Sequence, residues 1–225
     1  MQRRRIMTEI KICGMTNSDD AMNAAGCGAD ALGFIFYRKT PRYVTPEVAK
    51  DIIKKLPSHI CKTGVFVNHE AEEIKEIVEF CGLDLIQLHG DESPQYCRQF
   101  ARSKLIKALS PCSENDLEKI TDYPVRAILI DASHPALYGG TGEKSDWELA
   151  VKVKNTHALI LSGGLNLNNI RQAIEIVSPD AVDINSGVEF SPGKKDPEKV
   201  RKIIEVVRQT GCSDCRLKAV SVFAH

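Results

Sequence analysis

Residues 158–187 read ALILSGGLNLNNIRQAIEIVSPDAVDINSG. Two apolar runs of strand length, Ala158–Leu161 and Ala181–Ile184, each end in small residues: Ser162-Gly163-Gly164 after the first, Ser186-Gly187 after the second. Roughly 20 residues part the two loops, room for one helix and its turns, so the stretch reads as strand, helix and parallel strand.

The same unit recurs. Further strand candidates are Glu9–Cys13, Ala31–Phe36, Lys62–Val67, Leu85–Leu88, Leu105–Ala108 and Arg126–Ile130, eight in all. Most are rich in Ile, Leu, Val and Phe, as strands covered on both faces must be. Amphipathic segments lie between them, and several carry helix-start signals: Asn17, Thr45-Pro46-Glu47, Ser93-Pro94 and Asp196-Pro197-Glu198. At 225 residues the chain suits one core of this size. The expected fold is α/β, a single (β/α)8 barrel over residues 7–210, with an N-terminal extension 1–6 and a C-terminal tail 211–225. No linker or composition shift divides it.

Lys plus Arg and Asp plus Glu balance at 30 each, so no net field draws nucleic acid or an anionic membrane. A small-molecule partner fits better. The longest apolar runs fall far short of the roughly 18 residues of a membrane span, so no membrane partner is expected. Met1–Ile6 holds three arginines with no apolar run behind them, which argues against a secretory signal and for a cytoplasmic protein. The eight cysteines are mostly scattered among apolar runs and read as reduced thiols. Cys212 and Cys215 form a C-x-x-C pair, but no second pair or nearby histidine completes a zinc site. No metal is expected.

Strand alternation puts Lys11 and Cys13 on one face of the first strand, with Cys13 at the barrel rim. A lone cysteine is usually core filler, but a C-terminal strand end is where such barrels keep their chemistry. The same alternation turns Asp183 and Asn185 inward on the eighth strand, which neighbours the first when a barrel closes. Lys11 and Asp183 are therefore expected to pair, either as a purely structural buried ion pair or as part of the site. An ammonium near Cys13 is expected to favour its thiolate and lower its pKa.

Gly163, Gly164, Ser186 and Gly187 form either a phosphate cradle or simply tight turns. Asp131 closes the sixth strand ahead of a loop, Tyr138–Gly142; apolar walls there would let it hold a proton as a general acid. The alternative, an N-cap, is better filled by Asp146. Arg42, between Pro41 and Tyr43, is either a solvated loop residue or a bidentate grip on a substrate carboxylate. His89 ends the fourth strand, and ligand contact or support suits it better than catalysis.

Taken together, Lys11-Ile12-Cys13-Gly14-Met15-Thr16, Gly28–Phe34, Gly64–Asn68, Gln87-Leu88-His89-Gly90-Asp91, Asp131 with Tyr138–Gly142 and Asp146-Trp147, Leu161–Leu165, Asp183–Glu189 and Pro192–Asp196 closely resemble the phosphoribosylanthranilate isomerase family, in order from about Ile10 to Ile204. The resemblance implies an Amadori rearrangement in tryptophan biosynthesis without metal or organic cofactor. Carried over residue by residue, it implies Cys13 as general base, Asp131 as general acid and Arg42 as the anthranilate-carboxylate contact. Lys11, His89, Asp183 and the two glycine loops become substrate contacts. The oligomer would be a monomer or homodimer. Asn185 departs from the serine the family often carries, and the Cys-containing tail beyond about Gln209 has no counterpart. Two other readings remain: an isomerase acting on the histidine-pathway phosphoribosyl substrate, whose family resembles a two-aspartate site rather than one with Cys13, and a noncatalytic phosphosugar-binding barrel.

Overall fold

The structure is a computed structural model that describes residues 7–111, 116, 118, 120–131, 142–210 and 221–224, with the backbone alone at 142–146. Eight parallel strands close into a barrel in sequential order. They are β1 (Glu9–Ile12), β2 (Ala31–Ile35), β3 (Cys61–Phe66), β4 (Leu85–Leu88), β5 (Leu105–Leu109), β6 (Ala127–Asp131), β7 (Ala158–Ser162) and β8 (Ala181–Ile184). Around them run α1 (Ser18–Cys27), α2 (Pro46–Ile53), α3 (Ala71–Cys81), α4 (Pro94–Cys97), α5 (Gly142–Val153), α6 (Ile170–Val177) and α7 (Pro197–Thr210). A small antiparallel hairpin, β9 (Glu189–Ser191) and β10 (Lys194–Lys195), follows β8 and was not expected. The single barrel read from the eight apolar runs is thus the observed fold.

Local chemistry explains the helix starts. Asn17, Thr45 and Ser93 each accept a bond from a backbone N–H three residues on, and Pro46 and Pro94 follow at the first turn. Asp196 Oδ1 accepts from the N–H groups of Glu198 and Lys199 at the start of α7. Asp146 lies inside α5 rather than at its cap, so the helix begins earlier than that residue suggested.

Asp30, Asp84 and Asp180 stand immediately before β2, β4 and β8, and each carboxylate accepts from a backbone N–H in the preceding strand, at Ile10, Lys62 and Leu159. These bonds at 2.6–2.8 Å tie neighbouring strands at their N-terminal ends. Outward-facing Ile10, Ile12, Leu32, Phe34 and Ile128 pack in the main core cluster with helix residues such as Ala24, Ile74, Ile174 and Ile203. Inside, alternation stacks side chains in rings: the small cluster of Cys13, Ile35 and Val65 belongs to the uppermost, buried polar Lys11, Thr63, Gln87 and Asp183 lie beneath it, and an apolar ring is lowest.

The lowest ring is lined by small residues, among them Ala31, Ala127 and Ala181, and Val222 and Phe223 of the C-terminal tail complete this cluster. Both are buried. Glu9 holds them there: its carboxylate accepts from Ser221 Oγ and from the backbone N–H groups of Val222 and Phe223. Arg126 donates to the carbonyls of Ser221 and Ala224. The end of the tail is therefore the barrel floor, while residues 211–220 with Cys212 and Cys215 lie outside the described residues. The five described cysteines are free thiols.

Replacing a buried phenylalanine by alanine costs about 3 kcal/mol, or roughly 6–12 °C in a barrel of this size. Phe223→Ala should lower the thermal midpoint by that amount without changing turnover, since the floor lies at the opposite end from the cleft described next. An unchanged midpoint would show that the tail contributes nothing to the fold.

Candidate active site

The uppermost inward ring brings together what the sequence scatters. Cys13, Ile35, Val65, His89, Asp131, Ser162 and Asn185 surround a cleft of about 200 Å³ at the C-terminal end of the strands, joined by Arg42, Gln87, Gly163, Gly164, Asp183 and Ser186. Beneath it, Lys11 stands directly opposite Asp183 in the β1–β8 register, and Lys11 Nζ donates to Asp183 Oδ2 at 2.8 Å. Both groups are buried. Burial pulls the Lys11 pKa down, but Asp183 and Cys13 hold it up, and the net direction is upward. The expected pair is therefore present.

Cys13 departs from expectation. Burial raises its pKa more than the Lys11 and Lys195 ammonium groups lower it, and Asp183 adds to the rise. The thiol is enclosed so tightly that a Cβ added at Gly33 would stand 2.6 Å from its Sγ. Proximity to Lys11 was a sound argument; the depth of enclosure outweighs it.

Arg42 lies in the cleft, but one bidentate edge is already taken. Its Nε and Nη2 donate to Glu189 Oε1 and Oε2 at 2.8 and 2.6 Å. This leaves the Nη1–Nη2 edge for a ligand. Glu189 also accepts from Lys195 Nζ and from the Gly193 N–H. Burial opposes its charge, yet these donors hold its pKa below the usual carboxylate value. Lys195 donates further to Asn185 Oδ1 and Asn185 O, so Asn185 helps to anchor the hairpin under Arg42. Sequence reasoning missed Glu189 and Lys195 as functional residues; the Pro192-Gly193 turn between two short polar segments was the available signal.

On the opposite wall, His89 Nε2 lies 3.6 Å from Asp131 Oδ2. His89 Nδ1 meets the Gln87 amide nitrogen at 2.9 Å. His89 and Asp131 also face an adjoining open depression lined by Tyr37, Asn68, Asp91 and Lys107. There Lys107 is fully buried and donates to Glu92 and to the carbonyls of Gly90 and Ala108. Glu92 in turn accepts from the N–H groups of Asn68 and Gly90. This network, unread in the sequence, fixes the loops after β3 and β4. Tyr138–Thr141 of the loop after β6 lie outside the described residues.

The two glycine loops converge at the remaining edge. Gly163 and Gly164 turn through left-handed backbone, φ 92° and 61°. Gly187 does not line the cleft: a Cβ there would lie 1.9 Å from Leu165 O, so its lack of a side chain lets the two loops touch.

With this geometry in place, comparison with known proteins is decisive: the family model for N-(5'phosphoribosyl)anthranilate (PRA) isomerase matches residues 10–206. The chain belongs to the phosphoribosylanthranilate isomerase family. An isomerase from Syntrophus aciditrophicus is 55% identical over 203 residues, covering 90% of this chain and 88% of the relative. The crystal structure of the phosphoribosyl anthranilate isomerase from Thermotoga maritima superposes with a TM-score of 0.82 at 42% identity, covering 90% of this chain and all of that one. A second solved isomerase, at TM-score 0.80 and 40% identity over 90% of this chain and 100% of that one, is in complex with reduced 1-(o-carboxyphenylamino)-1-deoxyribulose 5-phosphate. No helix among the described residues of this isomerase is long and apolar enough to cross a membrane.

For Cys13 the sign of the shift has a direct readout. A raised thiol pKa means that the folded isomerase keeps this proton where the unfolded chain loses it. The associated stability is complete below the ordinary thiol pKa of about 8.5 and is lost as pH rises through the higher folded value. The ultraviolet thiolate absorbance of wild type minus Cys13→Ser should be absent at neutral pH and appear only above the ordinary thiol range. A thiolate signal at neutral pH would contradict the burial argument.

Proposed function

We propose that the chain catalyses the Amadori rearrangement of N-(5-phosphoribosyl)anthranilate to 1-(2-carboxyphenylamino)-1-deoxyribulose 5-phosphate, the isomerase step of tryptophan biosynthesis. The observation that carries the residue assignment is the facing of Cys13 and Asp131 across one cleft, with an arginine at one edge and two glycine loops at the other.

Asp131 acts as general acid and protonates the furanose ring oxygen. The C1–O bond breaks as the anilino nitrogen lone pair forms a C1=N iminium. That cation acidifies the C2 proton, which Cys13 in its thiolate form removes as general base. The electron pair left at C2 forms the C1=C2 bond of an enolamine as the iminium nitrogen regains its lone pair, and protonation at C1 with loss of the C2 hydroxyl proton to solvent gives the 2-ketone, with no metal or organic cofactor called upon. Lys11 and Lys195 draw Cys13 towards thiolate against the cost of its burial, so kcat/KM rises with pH above neutrality.

Binding at the two ends holds the reacting carbons between acid and base. The free Nη1–Nη2 edge of Arg42 takes the anthranilate carboxylate, and Glu189 presents that edge. Gly163, Gly164 and Ser186 cradle the phosphate, with Gly187 holding their loops together. Asp183 and Lys11 border the sugar, and His89 supports Asp131. All these groups come from one barrel, so a monomer is sufficient and a homodimer would carry two independent sites. Residues 7–210 are the catalytic unit with 221–224 as its floor, and the setting is the cytoplasm.

Turnover of freshly prepared phosphoribosylanthranilate, followed by loss of anthranilate fluorescence, is the test. Wild type should turn over, and Cys13→Ser and Asp131→Asn should each lose at least ~100-fold in kcat, the low end for acid–base groups. A folded wild type without turnover would overturn the activity. Variants that keep full turnover would overturn the assignment of the acid and base.

A further inference from the structure

Gln87 sits within the barrel, 1% exposed, under the wall that carries His89 and Asp131. It is an expensive residue for that place. Its carbonyl oxygen Oε1 is buried without a hydrogen-bond partner among the described residues. An orphaned acceptor loses its hydration without compensation, whereas an apolar side chain of similar length would fill the space at no such cost. The other end of the amide is satisfied: Nε2 stands 2.9 Å from His89 Nδ1.

An amide nitrogen only donates, so Nδ1 must accept, and the proton of a neutral imidazole then lies on Nε2. Nε2 is the atom that faces Asp131 Oδ2 at 3.6 Å. The opposite tautomer would present a lone pair to the aspartate and compete for its proton. A doubly protonated ring would set an N–H against the amide N–H groups and a fixed cation against the acid.

We propose that Gln87 is a positioning residue that holds His89 as its Nε2–H tautomer and thereby aims a neutral hydrogen-bond donor at Asp131. A neutral donor suits an acid that must alternate between two forms. It leaves Asp131 able to hold its proton before ring opening, and it stabilises the carboxylate left once the proton has passed to the ring oxygen. The orphaned carbonyl is the cost of orienting the amide this way. The proposal rests on the assignment of Asp131 as the acid, but its first test needs no turnover.

Long-range nitrogen–proton correlation spectra of nitrogen-15 histidine-labelled enzyme, with His89 assigned through His89→Gln, report the tautomer. The wild-type ring should show a protonated Nε2 and an unprotonated Nδ1. Gln87→Glu should shift the proton to Nδ1 or protonate both nitrogens, and Gln87→Met should mix the tautomers. A wild-type ring protonated on Nδ1 would overturn the proposal, whatever the variants do.

Kinetics supply the second arm. Gln87→Met should lower kcat at least about tenfold, a fraction of what the acid itself contributes, with KM within about twofold. His89→Gln places an amide donor near the former Nε2 position that needs no tautomer lock, so adding Gln87→Met to it should change kcat little. Equal losses in both backgrounds would show that Gln87 acts only through packing and would overturn the proposal. A wild type that folds but does not turn over would instead sink the assignment of function and leave the spectroscopic result standing.

Discussion

The ion pair of Lys11 and Asp183, 2.8 Å apart where the first strand meets the eighth, is the constraint on which the rest depends. Two charges inside a barrel are stable only together; removing one strands the other at a cost of about 3–5 kcal/mol. Because they sit opposite each other in the β1–β8 register, the pair selects how the barrel closes. A slip of one residue in either strand would turn that strand's charge outward into the helix layer and leave the other buried without its partner. The same closure sets Cys13 one ring above Lys11 and Asn185 one ring above Asp183, and the cleft is assembled from that ring.

Around this seam the barrel divides its labour along its axis. The upper ring carries the titratable groups Cys13, His89 and Asp131 beside Ile35 and Val65, and is held from outside by Lys107 with Glu92 on one flank and by Glu189 with Lys195 on the other. The floor is apolar and passive, sealed by Val222 and Phe223. Aspartates before three of the even strands tie neighbouring strands at this end, where no chemistry is required of them. Among the described residues, three of the four buried side-chain atoms without partners, Gln87 Oε1, Thr63 Oγ1 and Asp183 Oδ1, lie beneath the cleft, and the fourth, Arg126 Nε, lies at the floor. Orphaned polar atoms next to a site are where stability has been given up for chemistry.

Much of this was legible in the sequence because a strand repeats every two residues. Alternation alone placed Lys11, Cys13, Asp183 and Asn185 inward, and glycine loops after strands seven and eight marked the working end. The illegible parts depend on distance or depth. Arg42 meets Glu189 across 147 residues, through a hairpin whose strands are too short to leave a periodic signal. Glu9 meets Phe223 across 214, and no pattern in either segment names the other. The direction of the Cys13 pKa turns on how closely the ring encloses the thiol, which neighbouring letters do not record. The aspartates before β2, β4 and β8 were not read in the sequence, and only the structure shows what they hold.

The central claim is that one cleft grips both ends of a phosphoribosyl anilide and sets its reacting carbons between Cys13 and Asp131. A crystal structure with the reduced rearrangement product tests it most directly. The account predicts the carboxylate on the Nη1–Nη2 edge of Arg42, the phosphate against Gly163, Gly164 and Ser186, and C1 and C2 between the thiol and the aspartate. A phosphate bound away from the two glycine loops, or a carboxylate that leaves Arg42 untouched, would contradict it.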